Sequence, residues 1–241
     1  MRILVFQHHA AEHLGGFREH FRRDGILWDS IRLDAGQAIP DLGIYDAMFV
    51  LGGSLDVWEE DKYPWMKAEK SAIRTFVRDL SRPYFGICLG HQLLADALGG
   101  SVRQMKTIEI GMKQIRLTQS GNNDAIFAGL PHELPAFQWH ECEVQRLPGN
   151  TVILAANDHC SVQAMRVGTH AYGVQFHVEI DEATLEDWST VTEYEHYLEK
   201  TVGPTGPAQF ERPVRAMMRQ LSEIRAKLYA GFINVVRTPR R

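Results

Sequence analysis

The chain has 241 residues, 44% hydrophobic and 23% charged, an ordinary globular composition long enough to bury one sizeable core without a disulfide or metal staple. Its 26 basic and 30 acidic residues leave a formal net charge of -4, which gives no footing for nucleic acid or an anionic membrane as a partner. No apolar run suits a signal peptide or a bilayer span, and Cys88, Cys142 and Cys160 form neither a CxxC pair nor an even framework, so a cytoplasmic protein in reducing surroundings is expected.

In chain order, residues 3–6 read as a short buried strand and 12–23 as a helix ending before Gly25. A second strand follows over 26–33. The run AMFVL at 47–51 is continuously apolar and stops at Gly52-Gly53, as strands buried on both faces do. A helix is predicted over 65–80, with Ile73, Phe76, Val77 and Leu80 on one side, then a strand at 84–87 and a helix over 91–98 ending at Gly99-Gly100. This alternation predicts a parallel sheet covered by helices.

The middle changes character. Residues 108–117 and 143–155 read as strands without long helices between them, which fits an antiparallel ribbon or sheet extension. YGVQFHV at 172–178 alternates as a last strand, 185–200 is an acidic helix, and 203–207 (GPTGP) is a break. Beyond it, Val214, Met217, Leu221, Ile224 and Leu228 recur at helical spacing. The expected division is a main domain over 1–202, then a linker and amphipathic helix over 203–241 packed on that same domain. There is no internal repeat and no low-complexity segment.

The chemistry centres on GICLGHQ, residues 86–92. A G-x-nucleophile-x-G turn between strand and helix holds its middle residue strained, and its glycines keep crowded positions free of side chains. The Cys88 thiol then projects at the positive end of a helix, where a thiolate is favoured. Read alone, the pattern suits a buried core cysteine equally well. A nucleophilic cysteine needs a base, and the base needs an orienter. His177 and Glu179, two residues apart on an extended segment, point to the same side and supply both. Gly52-Gly53-Ser54, at the carboxyl end of a parallel strand, offers unobstructed N–H groups. The Gly53 N–H and the Leu89 N–H are the expected oxyanion donors.

These pieces in this order resemble the class I (triad-type) glutamine amidotransferase domain, in its stand-alone, GMP-synthase-like form. The similarity extends to Glu109-Ile-Gly111, Trp139-His140 and the run ending at Gln163, and covers roughly residues 1 to 190. It implies a mostly parallel, doubly wound sheet of the flavodoxin-like kind, helices on both faces, and a small antiparallel extension. It further implies that Cys88 attacks the side-chain amide of glutamine or another γ-glutamyl compound. His177 would carry the proton to ammonia and Glu179 would orient His177. Gly52, Gln92, His140 and Glu141 would meet the substrate. No cofactor and no metal are implied, and the acceptor of ammonia would be a separate synthetase or acceptor subunit, since no Gly-rich phosphate loop is present. Two positions depart from the family: Val178 stands where proline is usual, and Glu141 where a small residue is usual.

Other features read more plainly. His8, His9 and His13 lack a completing ligand set and are expected as loop histidines. Asp56, Trp58, Glu59 and Glu60 follow the oxyanion turn and either rim the pocket or, as the stronger expectation, lie on a solvated loop, and Cys142 and Cys160 are expected as structural thiols. Three activities remain open from the residues: a glutaminase feeding an acceptor, a γ-glutamyl peptide hydrolase that needs no partner, and a catalytically silent regulatory or binding subunit. Glutamine is the first substrate to try.

Overall fold

The structure, a computed structural model, describes residues 1–203 and 206–238. Its strands are β1 (Arg2–Gln7), β2 (Leu27–Arg32), β3 (Ala47–Val50), β4 (Tyr84–Ile87), β5 (Ser101–Leu117), β6 (Glu133–Arg146), β7 (Thr151–Ala156), β8 (Ala164–Val167) and β9 (Ala171–Val174). They form one sheet in the order β2-β1-β3-β4-β9-β8-β7-β5-β6. The junctions from β2 to β9 are parallel. Those from β9 to β6 are antiparallel. The sheet is therefore mixed rather than mostly parallel, and the antiparallel part is no small extension, since it holds the longest strands, of 17 and 14 residues. It is flavodoxin-like only along its parallel half.

Alternation along the parallel strands explains the layering. Ile3, Val5, Phe49 and Phe85 face one side. There they meet Phe17 and Phe21 of α1 (Phe17–Arg23) and Ile224, Leu228 and Phe232 of α7 (Gly206–Arg237). The Phe232 ring stands edge-on to Phe49 at 5.3 Å and to Phe85 at 5.2 Å. Leu4, Phe6, Met48, Val50 and Tyr84 face the other side, against α2 (Trp65–Arg74) and α3 (Leu89–Ala97). A third cluster joins Phe137 of β6 to Leu185 and Trp188 of α5 (Glu182–Ser189), Tyr194 and Leu198 of α6 (Thr192–Val202), and Val214 and Leu221 of α7.

Several elements differ from expectation for physical reasons. Only Phe17–Arg23 of the 12–23 segment is helical. Gly15 has φ +48, and the Gly16 N–H donates to the Glu179 carbonyl at 2.8 Å, so residues 8–16 form a loop pinned to the segment just beyond β9. The 143–155 segment is two strands, parted where Pro148 and Gly149 lead into Asn150 at φ +59. Helix 65–80 ends as α-helix at Arg74 and closes in a π-turn, Thr75–Asp79. The 185–200 helix is α5 and α6, broken at Thr190 and Val191. The last strand stops at Val174, before His177. Pro204 and Thr205 of the 203–207 break lie outside the described residues. No helix among the described residues is long and apolar enough to cross a membrane.

In the order β2-β1-β3, the chain reverses its direction of travel across the sheet at β1. Open α/β sheets bind ligands beyond the strand ends at such a point. His8 follows β1 there, Gly52 and Gly53 follow β3, and Cys88 follows β4.

Candidate active site

Cys88 caps the start of α3 with φ 51 and ψ −105, a conformation that costs a non-glycine residue about 1–3 kcal/mol. The surroundings enforce it. A Cβ at Gly86 would lie 2.4 Å from the Gly90 carbonyl oxygen, and one at Gly90 2.1 Å from the Val50 carbonyl oxygen. Both glycines of the turn are thus required by close backbone approach. The Cys88 N–H donates to the Val174 carbonyl at 2.9 Å, which ties the turn to β9. The Gln175 amide and the Trp139 carbonyl flank Sγ, each at 3.7 Å.

His177 reaches the thiol from beyond the end of β9. Its N–H donates to the Phe137 carbonyl at 2.8 Å, an isolated bridge rather than a continued strand. Nδ1 lies 2.6 Å from Glu179 Oε1, which leaves Nε2 for Cys88, the other hydrogen-bond partner of the ring. Burial alone would lower the imidazole's pKa. The Glu179 carboxylate and Cys88 overcome it and hold His177 well above its usual range. The arrangement inferred from strand alternation is therefore present, produced by an irregular segment.

The cavity before Cys88 measures about 380 Å³. Of the residues singled out in the sequence, Gly53, Cys88, Gln92, His140, Glu141 and His177 line it. Glu179 lies behind His177, at 2% exposure. Gly52 sits against the triad: a Cβ there would lie 3.2 Å from His177 Cε1 and 3.8 Å from Cys88 Cβ. The Leu89 N–H belongs to the first turn of α3, where no intrahelical acceptor exists. The His140 imidazole is committed elsewhere, to the Cys142 carbonyl at 2.9 Å and Glu109 Oε2 at 3.1 Å. The Gln92 amide likewise donates to the Cys142 carbonyl and to Gln175 Oε1, each at 3.1 Å. Glu141 reaches the Tyr197 hydroxyl. Burial, then Asp56, pushes its carboxyl up.

Sequence reasoning missed part of the lining. Glu12, expected in a helix, lines the cavity and accepts from the Tyr194 hydroxyl at 2.6 Å. Burial raises its pKa, against the pull of His177. The Gly15-Gly16 pair was the available signal that this segment breaks. Asp56 also lines the cavity, rather than a solvated loop, and accepts from the Cys142 thiol at 3.1 Å. Trp188, Tyr194 and Tyr197 of α5 and α6 complete the wall. The early histidines diverge: His8 meets Glu69, His13 meets Asp187, and His9 accepts from the Ala11 N–H. Among the described residues, no three His, Cys, Asp or Glu side chains are grouped to hold a metal ion. The other thiols are suppressed. Burial, then Asp56, raises Cys142, and burial pushes Cys160 up to about 12.

Comparisons with known proteins identify the family and the fold. The class-I glutamine amidotransferase profile matches residues 28–187. A glutamine-hydrolyzing GMP synthase subunit of Sulfolobus acidocaldarius is 32% identical over 154 residues, 63% of this chain and 77% of that protein. Gamma-glutamyl peptidase 5 of Arabidopsis thaliana is 30% identical over 175 residues, 70% of this chain and 68% of its own. The crystal structure of a glutamine amidotransferase from Thermotoga maritima superposes with a TM-score of 0.87, at 28% identity, over 99% of each chain. The chain belongs to the class-I glutamine amidotransferase family.

Proposed function

We propose that this chain hydrolyses the side-chain amide of glutamine through a γ-glutamyl thioester on Cys88. One observation carries the reading: the strained Cys88 at the start of α3 and the His177–Glu179 pair open into the same cavity as Gly53. The Cys88 sulfur attacks the amide carbonyl carbon, and the carbonyl oxygen becomes an oxyanion facing the Gly53 and Leu89 N–H groups. His177 passes a proton to the leaving nitrogen, the C–N bond breaks, and ammonia departs. Water then attacks the thioester as His177 takes its proton. The C–S bond breaks, and glutamate leaves with the thiol restored. Glu179 holds the imidazole's orientation and stabilises its protonated form throughout.

Asp56, Glu141 and Glu12 give the cavity three carboxylate groups, and no lysine or arginine lines it among the described residues. The α-ammonium of a glutamyl substrate suits such walls. Gln92 and the backbone at His140 and Glu141 stand as further contacts. The relative named as part of GMP synthase supports delivery of ammonia to a separate synthetase subunit. The gamma-glutamyl peptidase relative supports a second reading, hydrolysis of γ-glutamyl peptides without a partner. Ammonia and glutamate release from L-glutamine, run beside a panel of γ-glutamyl peptides, separates them. Faster release from glutamine sustains the first reading, and preference for peptides replaces it with the second. A protein inert on both, alone and with a synthetase subunit, sinks both and leaves a binding subunit.

A further inference from the structure

Below the oxyanion turn lies a second histidine–glutamate pair that the proposed reaction does not use. His8 Nδ1 is 2.8 Å from the Gly52 carbonyl oxygen, and His8 Nε2 is 2.9 Å from Glu69 Oε1. Both side chains are fully buried, at 0% exposure. The Trp65 ring stacks on the imidazole, 5.7 Å between centroids. Glu69 Oε2 has no hydrogen-bond partner. An ion pair in such a place adds little stability over well-packed apolar side chains, so its position asks for another account.

That account lies in the peptide His8 touches. The Gly52 carbonyl and the Gly53 N–H belong to one peptide unit. The chain has no cis peptide bond, and in a planar trans unit C=O and N–H point in opposite directions. Fixing the Gly52 carbonyl on His8 therefore aims the Gly53 N–H the other way. Gly53 lines the cavity, and among the described residues its N–H donates to no other group. Two adjacent glycines have no side chains to resist turning this unit over. The Gly52 carbonyl can only accept, so Nδ1 carries a proton, and an ionised Glu69 likewise only accepts, so beside it Nε2 carries one too.

We propose that the His8–Glu69 pair is a positioning device for the oxyanion hole: Glu69 keeps His8 doubly protonated, and His8 holds the Gly52–Gly53 peptide with the Gly53 N–H aimed at the developing oxyanion. The inference rests on the thioester reading above. Neither residue touches substrate. The charged groups facing His8 are Glu69 of α2 and Glu12 of the loop after β1. Both favour the imidazolium against the burial that opposes it.

The test begins with the unaltered chain labelled with nitrogen-15 histidine. Both ring nitrogens of His8 are expected to carry protons at pH 8. A singly protonated His8 overturns the inference, whatever any variant does. Glu69→Gln and His8→Gln are then assayed for kcat, KM and thermal melting from pH 6 to 9. Loss of an aimed oxyanion donor lowers kcat by about 10²–10³ with KM nearly unchanged. Glu69→Gln should recover only toward the acid end of this range and fail as pH rises, because burial pulls His8 below the ordinary histidine range once the carboxylate is gone, a limb the wild-type lacks. A purely structural pair would lower the melting temperature without adding that limb. Wild-type pH dependence and kcat in Glu69→Gln overturn the inference. A wild-type chain with no turnover overturns the thioester reading and this inference together. An active wild-type with a singly protonated His8 overturns this one alone.

Discussion

Among the described residues three histidine–glutamate pairs are buried, and the two other than His8–Glu69 differ in how their hydrogen bonds close. His177–Glu179 and His140–Glu109 are alike in composition, and all four residues are at most 4% exposed. Around His140–Glu109 the hydrogen bonds close on themselves. Glu109 takes donors from Asn157 at 2.7 Å and Gln163 at 2.8 Å besides His140, and both His140 ring nitrogens are occupied. Around His177–Glu179 they do not: Glu179 Oε2 has no partner, and the imidazole's second nitrogen faces a thiol. Residue type does not separate chemistry from architecture here. What separates these two is that the second ring nitrogen of His177 faces a thiol at the cavity, whereas both ring nitrogens of His140 are taken by the protein itself.

A matched pair of substitutions turns this contrast into numbers. Glu179→Gln removes the charge that favours protonated His177, and kcat for amide release should fall by about 10²–10⁴ with little change in melting temperature. Glu109→Gln turns an amide N–H₂ toward Asn157 if it replaces Oε1, or toward His140 and Gln163 if it replaces Oε2. It should cost about 1–3 kcal/mol of stability, read from denaturant or thermal unfolding, with kcat per folded molecule within a few-fold of wild-type. Reversal of those two outcomes would erase the distinction. Tyr194→Phe, which leaves buried Glu12 without its donor, should lower stability by about 1–2 kcal/mol and slow turnover modestly. Unchanged melting in that variant would show that the Glu12 contact contributes nothing. The smallest perturbation is chemical: iodoacetamide at pH 8 should label Cys88 ahead of Cys142 and Cys160, whose thiols are held protonated. Peptide mass mapping reads the order, and equal labelling would deny Cys88 any special reactivity.

The parallel half of the sheet was legible because its strands are short apolar runs that end at glycines. AMFV before Leu51 and Gly52 is β3, and the segment before Cys88 is β4. The antiparallel half was harder. The first part of β5 carries Arg103, Gln104, Lys106 and Thr107, all exposed, so no apolar alternation marks it. Residues 133–142 of β6 were missed altogether, with Pro135 interrupting an otherwise strand-like stretch. At the site, the juxtaposition of Cys88, His177 and Glu179 was readable because a strained turn needs specific glycines and residues two apart on an extended segment share a side. Glu12, Asp56 and Tyr194 were not, since only the folded loops bring positions 12 and 194 within hydrogen-bond reach. His8 was read as a loop residue because nothing local announces Glu69, 61 positions away.

The central claim is that Cys88 forms a covalent γ-glutamyl intermediate. Rapid acid quenching of the protein with glutamine or a γ-glutamyl peptide, followed by mass spectrometry of the Cys88 peptide, tests it most directly. The account predicts a γ-glutamyl adduct on Cys88 that accumulates and decays with turnover, and its disappearance, together with ammonia or amine release, in Cys88→Ala. Release that persists in Cys88→Ala, or an adduct on Cys142 or Cys160 instead, would contradict it.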